Sequence, residues 1–102
     1  MSNEKAGRKQ IKPKDYDGLV IVVKKRHIIE GRRCSRFQCP VNRAIKERLR
    51  TANVVVQLDR ILINDVPYQV PHPLRNFMDR YDDRTLSKQH IKGTTFTLRR
   101  LV

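Results

Sequence analysis

Residues 19–23 read LVIVV, five apolar residues in a row, of which four are β-branched. The run is too short for a helix, and branching at Cβ favours extended backbone. An uninterrupted apolar run of this kind is typical of a strand covered on both faces, which predicts an inner strand. Lys24, Lys25 and Arg26 follow at once, so the chain is expected to leave the core into a strongly basic segment ending at Gly31.

Downstream the pattern changes period. Pro40 suits a first helical turn, because its missing N–H would have no partner there. Cys39 then falls near the N-cap. Val41, Ala44, Ile45 and Leu49 recur at i, i+3, i+4 and i+8 as an apolar face, and Arg43, Lys46 and Arg50 share another, for an amphipathic helix of about three turns. Three short β-like runs follow, NVVVQL, RILIN and PYQV. Asn64-Asp65 reads as a two-residue hairpin turn, since both residue types tolerate left-handed backbone. Asp59-Arg60 reads as a further turn or bulge, and Pro67 assigns its strand to a sheet edge.

PHPLRNFMDRYDD predicts a second helix, with Leu74, Phe77, Met78 and Tyr81 as its core stripe. Asp82 and Asp83 have the wrong sign for a helix C-terminus and should end it. TTFTLRRLV alternates as a last strand, with Phe96 and Leu98 on one face and Arg99 on the other. The expected fold is α+β, a mainly antiparallel sheet of four to five strands with two amphipathic helices in the order β-α-β-β-(β)-α-β. Residues 1–17 are expected to form a flexible basic arm and residues 18–102 a single domain, since 102 residues suffice for one modest core.

The order of a strand, H-I-x-x-G (His27, Ile28, Gly31), C-P-V-x-x-A-I (Cys39, Pro40, Val41, Ala44, Ile45), a hairpin, a helix ending F-M-D-R-Y-D and a closing F-T-L strand resembles a group of small uncharacterised proteins of tailed bacteriophages and their hosts. The likeness spans roughly residues 18–100 and implies a phage setting and the fold order, but no known activity. This chain departs from that group in its C-x4-C spacing and its higher basicity.

Function is approached through charge. A formal charge of +13 on 102 residues, with a pI near 10.6, exceeds the roughly 2–8 charges that suffice for solubility. A polyanionic partner is expected, either nucleic acid or an acidic protein surface. No stretch approaches a membrane span and the N-terminus lacks the apolar core of a signal peptide, so the expectation is a soluble cytoplasmic protein with no membrane partner, in the host cytoplasm if phage-encoded. Oligomeric state stays open.

Between Lys24 and Arg50 there are ten lysines and arginines against two glutamates. Arg32, Arg33 and Arg36 precede the first helix, whose N-terminal N–H groups favour an anion. Arg43, Lys46 and Arg50 continue along its outward face, and Lys24, Lys25 and Arg26 flank it. These nine residues are the candidate phosphate contacts, against the plainer possibility of a solvated face.

Cys34, Cys39 and His27 invite a zinc reading, but no second cysteine pair or H-x3-5-H partner completes the four ligands of a structural site. His72 and His90 lie in distant segments. No metal or other cofactor is therefore expected; Cys39 reads as a small buried cap and Cys34 as an incidental thiol. A helix N-terminus with arginines nearby would lower the Cys39 pKa, yet neither a positioned base nor a glycine-rich phosphate loop is recognisable. The chain is expected not to be an enzyme. Phe37 reads as sealing the core edge in preference to stacking on a base, and no sequence-reading motif is present.

Overall fold

The computed structural model describes residues 15–101; the expected arm lies largely outside them. The fold is α+β: β1 (Val20–Val23), α1 (Lys25–Glu30), α2 (Pro40–Arg48), β2 (Val54–Val56), β3 (Ile61–Ile63), β4 (Val66–Tyr68), α3 (His72–Asp82), a 3-10 turn (Lys88–His90) and β5 (Thr94–Thr97).

Every strand pairing is antiparallel, but the strands form two sheets, β1-β5 and β2-β3-β4, in place of one. The segment after β5 joins them. Gln69 N–H donates to Arg99 O at 2.7 Å and Leu101 N–H to Pro67 O at 3.0 Å, around a Tyr68–Arg100 bridge. Pro67 thus lies on the outer edge of the three-stranded sheet, and its carbonyl faces away from β3, where a missing N–H breaks no ladder bond. Asn64 and Asp65 both have positive φ, 51° and 68°, and close the β3-β4 hairpin as the mirror-image turn suited to strand twist.

The inner-strand expectation for residues 19–23 is corrected. β1 alternates, with Ile21 and Val23 buried while Val20 and Val22 remain 43% and 44% exposed. Among the described residues its only strand partner is β5, and Arg48 Nη1 donates to Val20 O at 3.0 Å.

The segment from Lys24 to Gly31, expected to leave the core, forms a helix over residues 25–30 that buries His27 and Ile28. Six residues are too few to be helical on propensity alone, so α1 depends on its surroundings. Lys24 N–H donates to His27 Nδ1 at 2.9 Å, Tyr81 Oη donates to Ile28 O at 3.0 Å, and Lys88 Nζ donates to Ile29 O and Gly31 O at 3.3 and 2.8 Å. A Cβ on Gly31 would meet His27 O at 2.8 Å and Pro40 N at 2.9 Å. Absence of a side chain is what lets α2 start beside the end of α1.

α2 begins as expected, with Cys39 as N-cap and Pro40 in the first turn. It ends at Arg48, so Arg50 stands in the following turn and not on the helical face. Val41, Ala44 and Ile45 are buried, and Leu49 packs at the core margin. The stripe of α3, Leu74, Phe77, Met78 and Tyr81, is buried throughout, each such side chain contributing about 1.5–3 kcal/mol of transfer free energy. The helix stops at Asp82. Among the described residues no helix is long and apolar enough to cross a membrane.

A candidate anion-binding face

The candidate cations divide by what their side chains already hold. Lys24 and Arg26 both pair with Glu47 Oε2, the former at 3.3 Å, while His27 Nε2 meets Glu47 Oε1 at 2.6 Å. His27 Nδ1 accepts a backbone N–H, so the ring is the Nε2–H tautomer and donates to the carboxylate. His27 is 3% exposed. The His27 hydrogen bond, with Lys24 and Arg26 assisting, lowers the Glu47 pKa to about 2. This group joins α1 to α2 and leaves neither Lys24 nor Arg26 without a carboxylate partner.

Lys25 serves the fold as well, its Nζ donating to Gln89 O at 2.6 Å and Ile91 O at 2.9 Å. Arg33 reaches back to the end of α3, where Nε donates to Tyr81 O at 2.7 Å and Nη2 donates to Leu86 O. It provides, from a distant point in the chain, the basic group that favours a helix C-terminus. Asp82, unfavourable on dipole grounds, accepts the Cys34 N–H at 2.9 Å. The loop of residues 31–39 is further closed by Arg32 N–H to Gln38 O at 2.8 Å and Gln38 N–H to Ser35 Oγ at 2.9 Å.

The expected anion site at the start of α2 is not formed as anticipated. Pro40 contributes no N–H, and the Asn42 N–H is turned onto Cys39 Sγ at 3.5 Å. That helix end opens instead on a largely apolar groove of about 600 Å³, whose lining includes Cys34, Cys39, Phe77 and Met78 and where Arg36 shares the rim with Asp59 and Asp82. Phe37 and Leu58 are 59% and 57% exposed, so Phe37 does not seal the core edge.

A different cluster emerges from tertiary contacts. Gln38 O accepts from the backbone N–H of Arg32 and, at 3.3 Å, from Arg43 Nε, which brings the Arg43 guanidinium beside the Arg32 backbone. Arg32 and Arg33 also line a shallow, open depression with Gly31, Arg84 and Lys88. Lys25 lies against Lys88 O at 3.4 Å, and Lys46 follows Arg43 one turn along α2. A cationic strip therefore runs from Lys25 through Lys88, Arg84, Arg33 and Arg32 to Arg43 and Lys46. Arg84 and Lys88 lie far along the chain from the basic cluster, and neither has a local sequence signal that assigns it to this face.

The cysteines stand apart. Cys34 is exposed and Cys39 buried, both as free thiols, and burial pushes the Cys39 pKa up, against the lowering its helix position suggests. Both His27 ring nitrogens are engaged in the α1–α2 junction. Among the described residues no three His, Cys, Asp or Glu side chains gather as metal ligands.

No family model matches the chain, and no match is found among curated proteins or solved structures.

Proposed function

We propose that this is a small non-enzymatic basic protein that binds nucleic acid, or a ribonucleoprotein surface, mainly through phosphates. The observation that carries the reading is the strip from Lys25 to Lys46, in which Arg32, Arg33, Arg43, Lys46, Arg84 and Lys88 have no carboxylate within ion-pair distance among the described residues. Clustered, unneutralised cations release counterions from a polyanion when they dock, which supplies affinity without sequence information. Arg36 and Arg50 belong to the proposal as outlying contacts, with Lys24 and Arg26 already ion-paired to Glu47. The phage setting and the host cytoplasm belong to the same proposal and rest on the sequence resemblance alone.

Titration of duplex DNA, single-stranded DNA and RNA at two salt concentrations tests it. Six phosphate contacts on duplex DNA correspond to a log–log salt slope of about −5. No binding at low salt, or binding unchanged when Arg32, Arg43 and Lys46 are all alanine, would sink the proposal.

A second reading, in which the basic face docks on an acidic host protein, is favoured by the apolar groove that begins where the strip's loop turns, with the exposed Leu58 in its lining beside Phe77 and Tyr81. Arginine and aromatic groups around an apolar centre suit a protein interface. Retention of one stoichiometric protein after nuclease treatment, together with loss of that protein on Leu58→Ser, would favour it.

A further inference from the structure

The concavity in the strip has properties that phosphate contact in general does not require. Its walls are Gly31, Arg32, Arg33, Arg84 and Lys88, with no acidic residue among them. Arg33 and Lys88 are each fixed by two backbone carbonyls. Arg33 Cζ lies 5.6 Å and Lys88 Nζ 5.8 Å from the centroid of the same ring, that of Tyr81. Two cations are thus held against one buried aromatic with no carboxylate within ion-pair distance among the described residues, and like charges held together repel. An anion seated between them removes that repulsion.

The donor inventory matches such an anion. Arg33 has one N–H on Nη2 and both on Nη1 without a partner, and Lys88 has one of its three ammonium protons free. Arg32 and Arg84 are exposed and their guanidinium groups have no hydrogen-bond partner among the described residues. Two features oppose an anion here, and both are already occupied. The carbonyls ending α1 face Lys88, which covers those of Ile29 and Gly31. Asp83 is turned onto Thr85, accepting from its hydroxyl at 2.7 Å and its N–H at 2.9 Å, and these bonds, with a smaller effect from the Arg33 charge, lower its pKa.

Four cations around one hollow discriminate by charge. A phosphodiester carries one negative charge, whereas a phosphomonoester carries about 1.5 to 2 at pH 7 and presents three equivalent acceptor oxygens to guanidinium forks. We propose that this concavity is a seat for a phosphate dianion, the terminal phosphomonoester of a nucleic-acid strand or free inorganic phosphate. The strand-end source rests on the phosphate-binding function proposed above, and the site itself does not.

The test compares one single-stranded oligonucleotide with a 5′-phosphate or a 5′-hydroxyl, at low salt, beside a titration of inorganic phosphate followed by amide NMR. The phosphorylated strand should bind at least fivefold more tightly at pH 7.5. The preference should shrink as pH falls through about 6, where the second phosphate proton binds. It should vanish in the Arg32→Gln, Arg84→Gln double variant, whose melting temperature should stay at the wild-type value because neither side chain holds the fold. Inorganic phosphate should shift the amides of Gly31, Arg32 and Arg84. Equal affinity for both strands with no response to inorganic phosphate overturns the seat and leaves the general function standing. A phosphate response without binding of either strand overturns the general function and supports the seat for the free ion.

Discussion

Asn42 is the side chain on which the loop, α2 and β2 converge. Wholly buried, its Nδ2 donates to Arg36 O and Val54 O, each at 2.8 Å, while its Oδ1 has no partner among the described residues. Asparagine in an early helical turn reads as unremarkable from sequence, because only the carbonyls brought in from elsewhere give it a role. Asn42→Ala should cost about 1–3 kcal/mol, since Val54 O would be left buried without that donor; urea unfolding measures it, and a loss under half a kilocalorie would contradict the assignment. Gly93 is constrained by proximity, a Cβ there falling 2.2 Å from Val23 O. Gly93→Ala should therefore push β5 away from the end of β1 and destabilise by about 1–3 kcal/mol. A variant as stable as the parent would show that this approach is not tight.

At the scale of elements, the two longer helices were legible and the short one was not. Val41, Ala44 and Ile45 on α2, and Leu74, Phe77, Met78 and Tyr81 on α3, declare their period in the sequence and are buried as that period requires. KKRHIIE has no such period, and its helicity depends on Tyr81, Lys88 and Glu47 acting from other elements, the last through the buried His27 of the helix itself. Its link to α2 makes stability pH-dependent in a defined direction. Glu47 has a folded pKa of about 2 against an ordinary 4.5, so its contribution is fully present above 4.5 and is lost as pH falls from 4.5 towards 2. Lys24, Arg26 and His27 are the charged or titratable groups that face it. Glu47→Gln should flatten the stability profile across that window, as read by melting temperature against pH; an unchanged acid limb would place the dependence elsewhere. β1 fails differently, because an apolar run reports that a strand is apolar and not whether anything covers its second face. Here Val20 and Val22 stay 43% and 44% exposed among the described residues.

For the whole molecule, charge is the property the sequence states most directly, and its arrangement is the property it states least. Ten basic residues between 24 and 50 predict a polyanionic partner, but Lys24 and Arg26 close on Glu47 while Arg84 and Lys88 arrive from beyond α3. If the strip is the binding face, neutralising Arg84, at the far end of the chain from the cluster, should reduce the salt slope on duplex DNA by about one and weaken all sequences alike. Lys25→Gln should weaken binding and also lower thermal stability, because its ammonium holds Gln89 O and Ile91 O. A Lys25 variant that keeps its melting temperature would remove the structural role assigned to that side chain.

By itself the sequence determined the α+β class, the start of α2, the stripe of α3, the Asn64-Asp65 turn and the outward edge at Pro67. Each depends on local backbone preference or on a period that a single segment contains. Tertiary structure alone decided that five strands divide into two sheets joined after β5, that residues 25–30 are helical, and which cations keep an uncompensated charge. Those outcomes depend on which distant carbonyl or carboxylate reaches a given side chain, and a short segment cannot specify partners that lie 20 to 60 residues away.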